Sequence, residues 1–467
     1  MVQPQRGHVK DVAIIGAGPS GLVAAKFLLA EKAFSNVVIY EQRDTVGGTW
    51  NYAPLASQSH KMSNGDSSQH VSTTAKAVVT ANLPKYNTPM YEGLETNVPH
   101  MLMGYCDTPF PENTKLFPDR ECVMQYLEDY ASELSTIIKF KNEVLAVKPT
   151  CKSGSEGWDL TTRASDNGNE ATQHFDAVVI ANGHGSSPSL PPVQGLDEWA
   201  QRLPESICHS ISFRNTKPFK NKRVLLVGGG PSAADISHQL TQVCALPLLA
   251  SRPKKSPYHL DEPNERAYLE LATLIPEERA AVFKDGSIER DIDIIFLCTG
   301  YTYDFDFLGA ADPAVKAGEG IGAIHPYQYI FHVQHPTLAF VETLEQIIPF
   351  AIAEAQAAVI ARVWSGRLAL PSSEDMQGWV DGVISKKGPG RKFHATEPPS
   401  DLQYMKEMYE WCRKTEASEK GKLPRLWDDY WCWLRMATAD IKKAFVAKGE
   451  DRGQVVGYEE LGFHFSG

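Results

Sequence analysis

Gly16-Ala17-Gly18-Pro19-Ser20-Gly21 and, 212 residues later, Gly228-Gly229-Gly230-Pro231-Ser232-Ala233 decide the fold of this chain. Each follows an apolar run that reads as a buried strand, residues 12–15 and 224–227, and each opens a stretch with helical spacing. Around the first loop the pattern predicts a strand over 11–15, a helix over 20–32 and a second strand over 37–40. That strand ends at Glu41, 20 residues beyond Gly21. This is the βαβ arrangement that binds a dinucleotide. Gly16 and Gly18 leave room for a tight turn and a close pyrophosphate, and Gly21 lets the helix pack on the strand. The helix N-terminus turns its N–H groups and dipole toward the phosphates. A carboxylate at the position of Glu41 suits ribose hydroxyls.

The second loop differs in two respects. Ala233 replaces the last glycine, which the motif tolerates. The strand after its helix, residues 246–250, is followed by Ser251 and Arg252, with Lys254 and Lys255 close by, rather than by an acid. A carboxylate repels a 2′-phosphate, whereas a hydroxyl and a guanidinium bind it. The first site therefore favours FAD and the second NADPH over NADH. Two dinucleotides on one polypeptide point to electron transfer between them.

Composition narrows the class further. The chain has 467 residues, enough for two or three domains, with 42% hydrophobic and 22% charged residues, as in ordinary globular proteins. A net charge of −11 argues against general affinity for nucleic acid or anionic membrane. None of the eight cysteines forms a Cys-x-x-Cys pair, which leaves metal and dithiol redox chemistry without support. Residues 347–363 are the most apolar stretch, but Pro349, Glu354, Gln356 and Arg362 interrupt it, so no transmembrane segment is expected. The expected setting is cytoplasmic, with peripheral attachment at the endoplasmic reticulum left open, as is a homodimer.

Along the chain, residues 53–82 are rich in Ser, Thr, Asn and His and read as a long surface loop or mobile insertion. A helix is expected over 121–134, with strands over 143–147, 158–162, 176–181 and 292–297. Asn182-Gly183 and Thr299-Gly300 close two of these strands and read as hinges. The expected fold is α/β, with two Rossmann-like dinucleotide-binding domains, the second inserted in the first. Residues 1–185 begin the FAD domain, 186–298 form the NADPH domain, and 299–467 complete the FAD domain with a helical tail. Trp379, Trp411, Trp427, Trp431 and Trp433 in the tail read as packing residues.

The chain resembles the class B flavin monooxygenases, and within them the flavin-containing monooxygenases of fungal, yeast-like type. The resemblance rests on the two loops, on Gly47-Gly48-Thr49-Trp50, on Leu94-Glu95-Thr96-Asn97, on Met103-Gly104-Tyr105-Cys106-Asp107 with Phe117-Pro118, and on the segments 298–301 and 354–362. It implies FAD and NADPH as cofactors, O2 as co-substrate, and a small nucleophilic substrate. For FAD it implies Gly16, Gly18, Pro19, Ser20, Gly21, Glu41, Gln42, Gly48, Thr49, Trp50, Val144 and Gln356, with Glu354 and Gln356 beginning a helix near the flavin. For NADPH it implies Gly228, Gly230, Pro231, Ser232, Ala233, Ser251 and Arg252. Asn97 is implied as the catalytic residue, shielding a C4a-hydroperoxyflavin that oxygenates a soft sulfur or nitrogen.

Three positions depart from the family. The linking fingerprint aligns on His209 and Phe213, but Leu203 and Glu205 stand where Phe and Gly are usual. Glu342 replaces a glycine usual after the strand at 338–341, and two readings stay open for it, beside the flavin or toward solvent. His209 reads either as a linker residue sensing domain docking or as a packing histidine, and His184 as a strand-end residue. Competing readings are a Baeyer–Villiger or N-hydroxylating monooxygenase and, from another class, a non-catalytic flavin-binding redox sensor or interaction module. A disulfide reductase would need the absent cysteine pair.

Overall fold

The computed structural model describes residues 9–54, 73–81, 83–152, 155–253, 263–309, 324–396, 399–415 and 420–466. The chain divides into two compact units. One comprises Met1–Trp50, Val98–Gly183 and Asp304–Gly467; the other comprises Asn51–Asn97 and His184–Tyr303.

Five parallel strands form the sheet of the first unit, in the order Leu338–Phe340, Ala177–Ile180, Asp11–Ile15, Asn36–Tyr40, Ile138–Lys139. Four of the five residues in Asp11–Ile15 are buried, as a central parallel strand requires. The helix Pro19–Ala30 follows directly, with Pro19 at its first position, where the missing N–H costs nothing. It packs on the helix Pro349–Trp364, which is buried along nearly its whole length. The alanine content of both helices allows that close approach. Burial on all sides, rather than a lipid surround, accounts for the apolar run in Pro349–Trp364. No helix among the described residues is long and apolar enough to cross a membrane. An antiparallel sheet, Asn142–Lys152, Ser155–Ala164 and Glu170–Phe175, joins this unit. In the tail, the helices Ser373–Lys387, Ser400–Arg413 and Asp429–Ala447 pack on the same core. Trp427 is buried within it, and Trp379, Trp411, Trp431 and Trp433 pack against it.

The second unit repeats the plan. Its five parallel strands run in the order Glu265–Tyr268, Leu248–Ser251, Val224–Val227, Ile294–Leu297, Ile207–His209. In both units the strand leading into the glycine loop lies at the centre of its sheet.

Domain limits differ from the sequence expectation in one large respect. Residues 51–97, assigned to the first domain by sequence, belong to the second unit. The helix Thr74–Thr80 buries Ala75 and Val79 with Leu196 and Trp199, and the Ala75 N–H donates to Asp197 at 2.8 Å. The buried Arg214 guanidinium donates to the carbonyl of Ala53 at 2.7 Å and to Asn87 Oδ1 at 3.0 Å. Within the expected loop at 53–82, Thr74–Thr80 is thus helical, while 55–72 and 82 lie outside the described residues. The hinge expected at Gly183 coincides with a unit boundary; the return crossing falls at Tyr303, three residues beyond Gly300.

One buried ion cluster ties the glycine-loop helix to its neighbour. Glu31, with no exposed side chain, accepts from Arg367 Nη1 at 2.9 and 3.0 Å and from Ser365 Oγ at 3.2 Å, and Arg362 Nη1 lies 3.9 Å away. Removing one partner of a buried pair leaves the other charge uncompensated. Glu31→Gln is expected to destabilise the protein by about 3 kcal/mol, read as a lower urea midpoint; an unchanged midpoint would show that the two arginines do not need the carboxylate.

Candidate active site: two glycine loops

In the first unit the loop begins where the central strand ends. Gly16 has φ +104°, and a Cβ there would sit 2.5 Å from the carbonyl oxygen of Ala181 on the adjacent strand. Its N–H donates to the Tyr40 carbonyl at 2.8 Å. A Cβ on Gly21 would lie 1.9 Å from the Gly16 carbonyl oxygen, so only glycine lets the helix start so close to the turn. Gly18 is extended, and a Cβ there would make only ordinary contact with Gly48 at 3.5 Å. Neither backbone nor neighbours demand glycine at 18, which suits a second body approaching from outside. No side chain caps this helix, and its first turn holds no acid. That leaves the N-terminus suited to an anion.

Around the loop, Glu41 is buried, with Oε2 accepting from the Ala17 N–H and Oε1 from the Arg43 N–H, both at 2.9 Å. The carboxylate thus braces the loop while sitting at its expected place. Gln42 and Thr49 are exposed, and Gly48 and Trp50 half-buried. The Gly47 N–H donates to the Ala17 carbonyl at 3.0 Å, and Arg43 Nη1 to the Gly48 carbonyl at 2.7 Å. Trp50 meets Phe350 edge-on at 6.4 Å. The Asn142 N–H donates to the Glu41 carbonyl at 2.9 Å, which brings half-buried Val144, beside a register shift in its strand, to this end of the sheet.

One expectation on the helix Pro349–Trp364 needs correction. Glu354 and Gln356 lie inside this helix rather than at its start. Gln356 is fully buried: Oε1 accepts from the Glu342 N–H at 2.7 Å, and Nε2 donates to Tyr404 Oη at 3.1 Å and to the Tyr329 carbonyl at 3.4 Å. Its side-chain amide is committed to the chain itself. Glu354 accepts from the N–H groups of Cys106 at 2.8 Å and Arg425 at 3.1 Å. Burial pushes its carboxyl up from the usual range, against the pull of those bonds and of the Arg425 charge.

Glu342 turns toward the first glycine loop. It is half-buried with φ +63°, and its Oε2 accepts from Ser20 Oγ in the first loop at 2.6 Å.

In the second unit the loop repeats the first by the same physics. Gly228 has φ +140°, and a Cβ there would lie 2.2 Å from the Cys298 carbonyl oxygen. Its N–H donates to the Ser251 carbonyl at 2.9 Å. Gly230 is extended and a Cβ there would meet nothing within 4 Å. Pro231 opens the helix Pro231–Leu240, Ser232 is half-buried and Ala233 is buried; the helix again has neither a side-chain cap nor an acid in its first turn.

The expected 2′-phosphate residues are differently placed. Ser251 is buried and its hydroxyl donates to the Leu269 carbonyl at 3.0 Å, so it does not present itself to a ligand. Arg252 pairs with Glu265, a buried carboxylate on the neighbouring strand that also accepts from Ser237 Oγ at 2.9 Å. Lys254 and Lys255 lie outside the described residues. Sequence reading found no acid after this strand because Glu265 arrives across the sheet.

Asn97 is exposed, at the end of the second unit's first stretch. His209 is fully buried: Nδ1 accepts from the Ile211 N–H at 3.1 Å, the ring meets Tyr301 edge-on at 5.5 Å, and desolvation pushes it down to about 4. It is a neutral packing residue at neutral pH. His184 stacks at a tilt on Tyr303, centroids 4.7 Å apart. Glu205 is exposed, so that departure faces water.

These two loops, each with a crowded first glycine and an open second one, fit two dinucleotides. A family model described as flavin-binding monooxygenase-like matches residues 78–257 and 271–417, and one for an NAD(P)-binding Rossmann-like domain matches 14–71. Flavin-containing monooxygenase FMO GS-OX-like 4 of Arabidopsis thaliana is 30% identical over 438 residues, which span 90% of this chain and 91% of the relative. A thiol-specific monooxygenase of Saccharomyces cerevisiae is 28% identical over 459 residues, spanning 93% and 92%. Among solved structures, S-allyl-L-cysteine S-oxygenase from Allium sativum matches with a TM-score of 0.75 and 26% identity over 96% of both chains. The chain belongs to the flavin-binding monooxygenase-like family and is an oxidoreductase of the kind that uses FAD and NADPH.

Proposed function

We propose that this enzyme oxygenates a soft nucleophile, sulfur before nitrogen, with NADPH as reductant. The observation that carries the sulfur preference is likeness along nearly the whole chain to a thiol-specific monooxygenase and to an S-allyl-L-cysteine S-oxygenase. Bound FAD and NADPH supply the electrons and the activation of O2.

The chain's own contribution is binding, orientation and exclusion of water. Gly16, Gly18, Pro19, Ser20 and Gly21 would hold the FAD pyrophosphate at the uncapped helix end, and Glu41 would add ribose hydroxyls to its two backbone donors. Gln42, Gly48, Thr49, Trp50 and Val144 would complete that cradle. Gly228, Gly230, Pro231, Ser232 and Ala233 would do the same for NADPH. In this reading Arg252 meets the 2′-phosphate with Glu265 fixing its guanidinium, and Ser251 supports the strand end rather than the ligand. Asn97 would be the catalytic residue: a carboxamide donates and accepts hydrogen bonds without gaining or losing a proton, which suits shielding of a water-sensitive centre. A soft nucleophile needs no acid–base pair for activation. The same reading places the enzyme in the cytoplasm, a reducing compartment suited to eight thiols.

NADPH consumption across thiols, thioethers, primary amines and ketones, with peroxide measured in parallel, tests the proposal. Coupled turnover with sulfur substrates is expected; turnover of ketones alone would overturn it in favour of ester formation. Asn97→Ser is expected to leave anaerobic flavin reduction nearly unchanged while raising peroxide release, and fully coupled oxygenation by that variant would remove Asn97 from the mechanism. Gly230→Ala, where a methyl meets no protein atom, is expected to shift the melting temperature by no more than about 2 °C and to weaken NADP+ binding about tenfold. Gly228→Ala, by contrast, drives a methyl into the Cys298 carbonyl and is expected to lower the melting temperature itself; indifference of NADP+ to Gly230→Ala would mean that the loop does not hold the phosphates.

A further inference from the structure

Glu342 places a carboxylate at the helix end where the proposed reading puts a phosphate. The strand Leu338–Phe340 ends two residues before it, and the backbone at 342 is left-handed, φ +63°, a conformation that disfavours an L side chain. Its N–H donates to Gln356 Oε1 at 2.7 Å, and its Oε2 accepts from Ser20 Oγ at 2.6 Å. Ser20 lies in the first turn of the uncapped glycine-loop helix. A carboxylate from a residue 322 positions away thus meets a side chain in the first turn of this helix, where negative charge is favoured.

We propose that Glu342 makes flavin retention proton-linked: an ionised Glu342 competes with the FAD pyrophosphate for the N-terminus of the helix Pro19–Ala30, and FAD is held tightly when that carboxyl carries a proton. This rests on the assignment of FAD to the first loop.

Desolvation pushes the Glu342 carboxyl up to about 7, with the Ser20 bond pulling the other way. Titration thus falls in the physiological range, while the pyrophosphate stays ionised throughout. Burial also raises the titratable groups around it. Tyr105, which feels the Glu342 charge and whose hydroxyl donates to the Pro19 carbonyl at 2.9 Å, is pushed well above its usual range by burial. Glu354, on the helix Pro349–Trp364 that carries Gln356, acts on the same Tyr105 and is braced by the Cys106 and Arg425 N–H groups. An arriving dianion raises the Glu342 pKa further, so binding takes up a proton. Affinity is then full below the pKa of the flavin-free site, falls as pH rises through it, and levels off above the pKa of the loaded site.

The test is FAD release from diluted holoenzyme, followed by the fluorescence of freed flavin and by ultrafiltration at pH 6.5, 7.5 and 8.5. The native protein is expected to show an FAD dissociation constant that rises about tenfold between pH 6.5 and 8.5. Glu342→Gln, which keeps the size and the contact to Ser20 without the charge, is expected to stay near the tight value at every pH. Glu342→Gly, which also relieves the backbone, is expected to behave alike and covers failure of the first variant to fold. A pH slope that survives in both variants overturns the proposal, as does weaker binding by Glu342→Gln with native affinity rising with pH, the mark of an ionised carboxylate that binds flavin hydroxyls. Protein that takes up no FAD at any pH overturns the cofactor assignment as well, and is told apart by its lack of colour.

Discussion

The close passage of a bare backbone past a neighbouring carbonyl is the constraint on which both halves of the molecule depend. At Gly16 that carbonyl belongs to Ala181, and at Gly228 to Cys298. Hydrogen bonds fix the approach on either side: the Ala181 N–H donates to the Ile15 carbonyl at 3.0 Å, and the Cys298 N–H to the Val227 carbonyl at 2.7 Å. A turn made there aims each helix N-terminus out over the carboxyl ends of the strands, where open α/β sheets bind ligands. The halves differ at the end of the loop. A methyl at 21 would strike the Gly16 carbonyl, whereas Ala233 carries one and is buried, so the second helix must stand further off its loop. The tighter first loop is also braced by Glu41 through the Ala17 N–H.

Features carried by contiguous residues were legible in the sequence. The loops, their flanking strands and the tail helices follow from local pattern, because glycine spacing and apolar runs report directly on turns and on burial in a parallel sheet. Features built across space were not. Glu265 joins Arg252 only because two strands lie side by side, and nothing in the run after residue 250 announces it. Residues 53–82 read as a surface loop within the first domain because their polar composition hides the contacts that claim 51–97 for the second unit, the Arg214 guanidinium and the face of Leu196–Arg202. Ser251 shows a limit of motif reasoning: the right residue type stands at the right position, yet its hydroxyl points into the fold.

Gln356 shows the same limit from the opposite side. Three non-glycine residues adopt left-handed backbone around it: Gln328, Tyr329 and Glu342. Each such residue costs about 1 kcal/mol and persists only where surroundings over-determine it. The buried amide of Gln356 supplies much of that determination. It receives the Glu342 N–H, donates to the Tyr329 carbonyl, and donates to Tyr404 Oη, which itself donates to the Gln328 carbonyl at 2.8 Å. Thr343 Oγ1 adds a bond to the Tyr329 carbonyl at 3.2 Å. Two helices, Pro349–Trp364 and Ser400–Arg413, thus pin two strained turns through a single amide. The motif segment at 354–362 therefore reaches the first glycine loop through Glu342 and Ser20. It fixes the backbone that aims Glu342 at Ser20, and under the proposed proton linkage a second anion at the same helix end is met by protonation of that carboxyl.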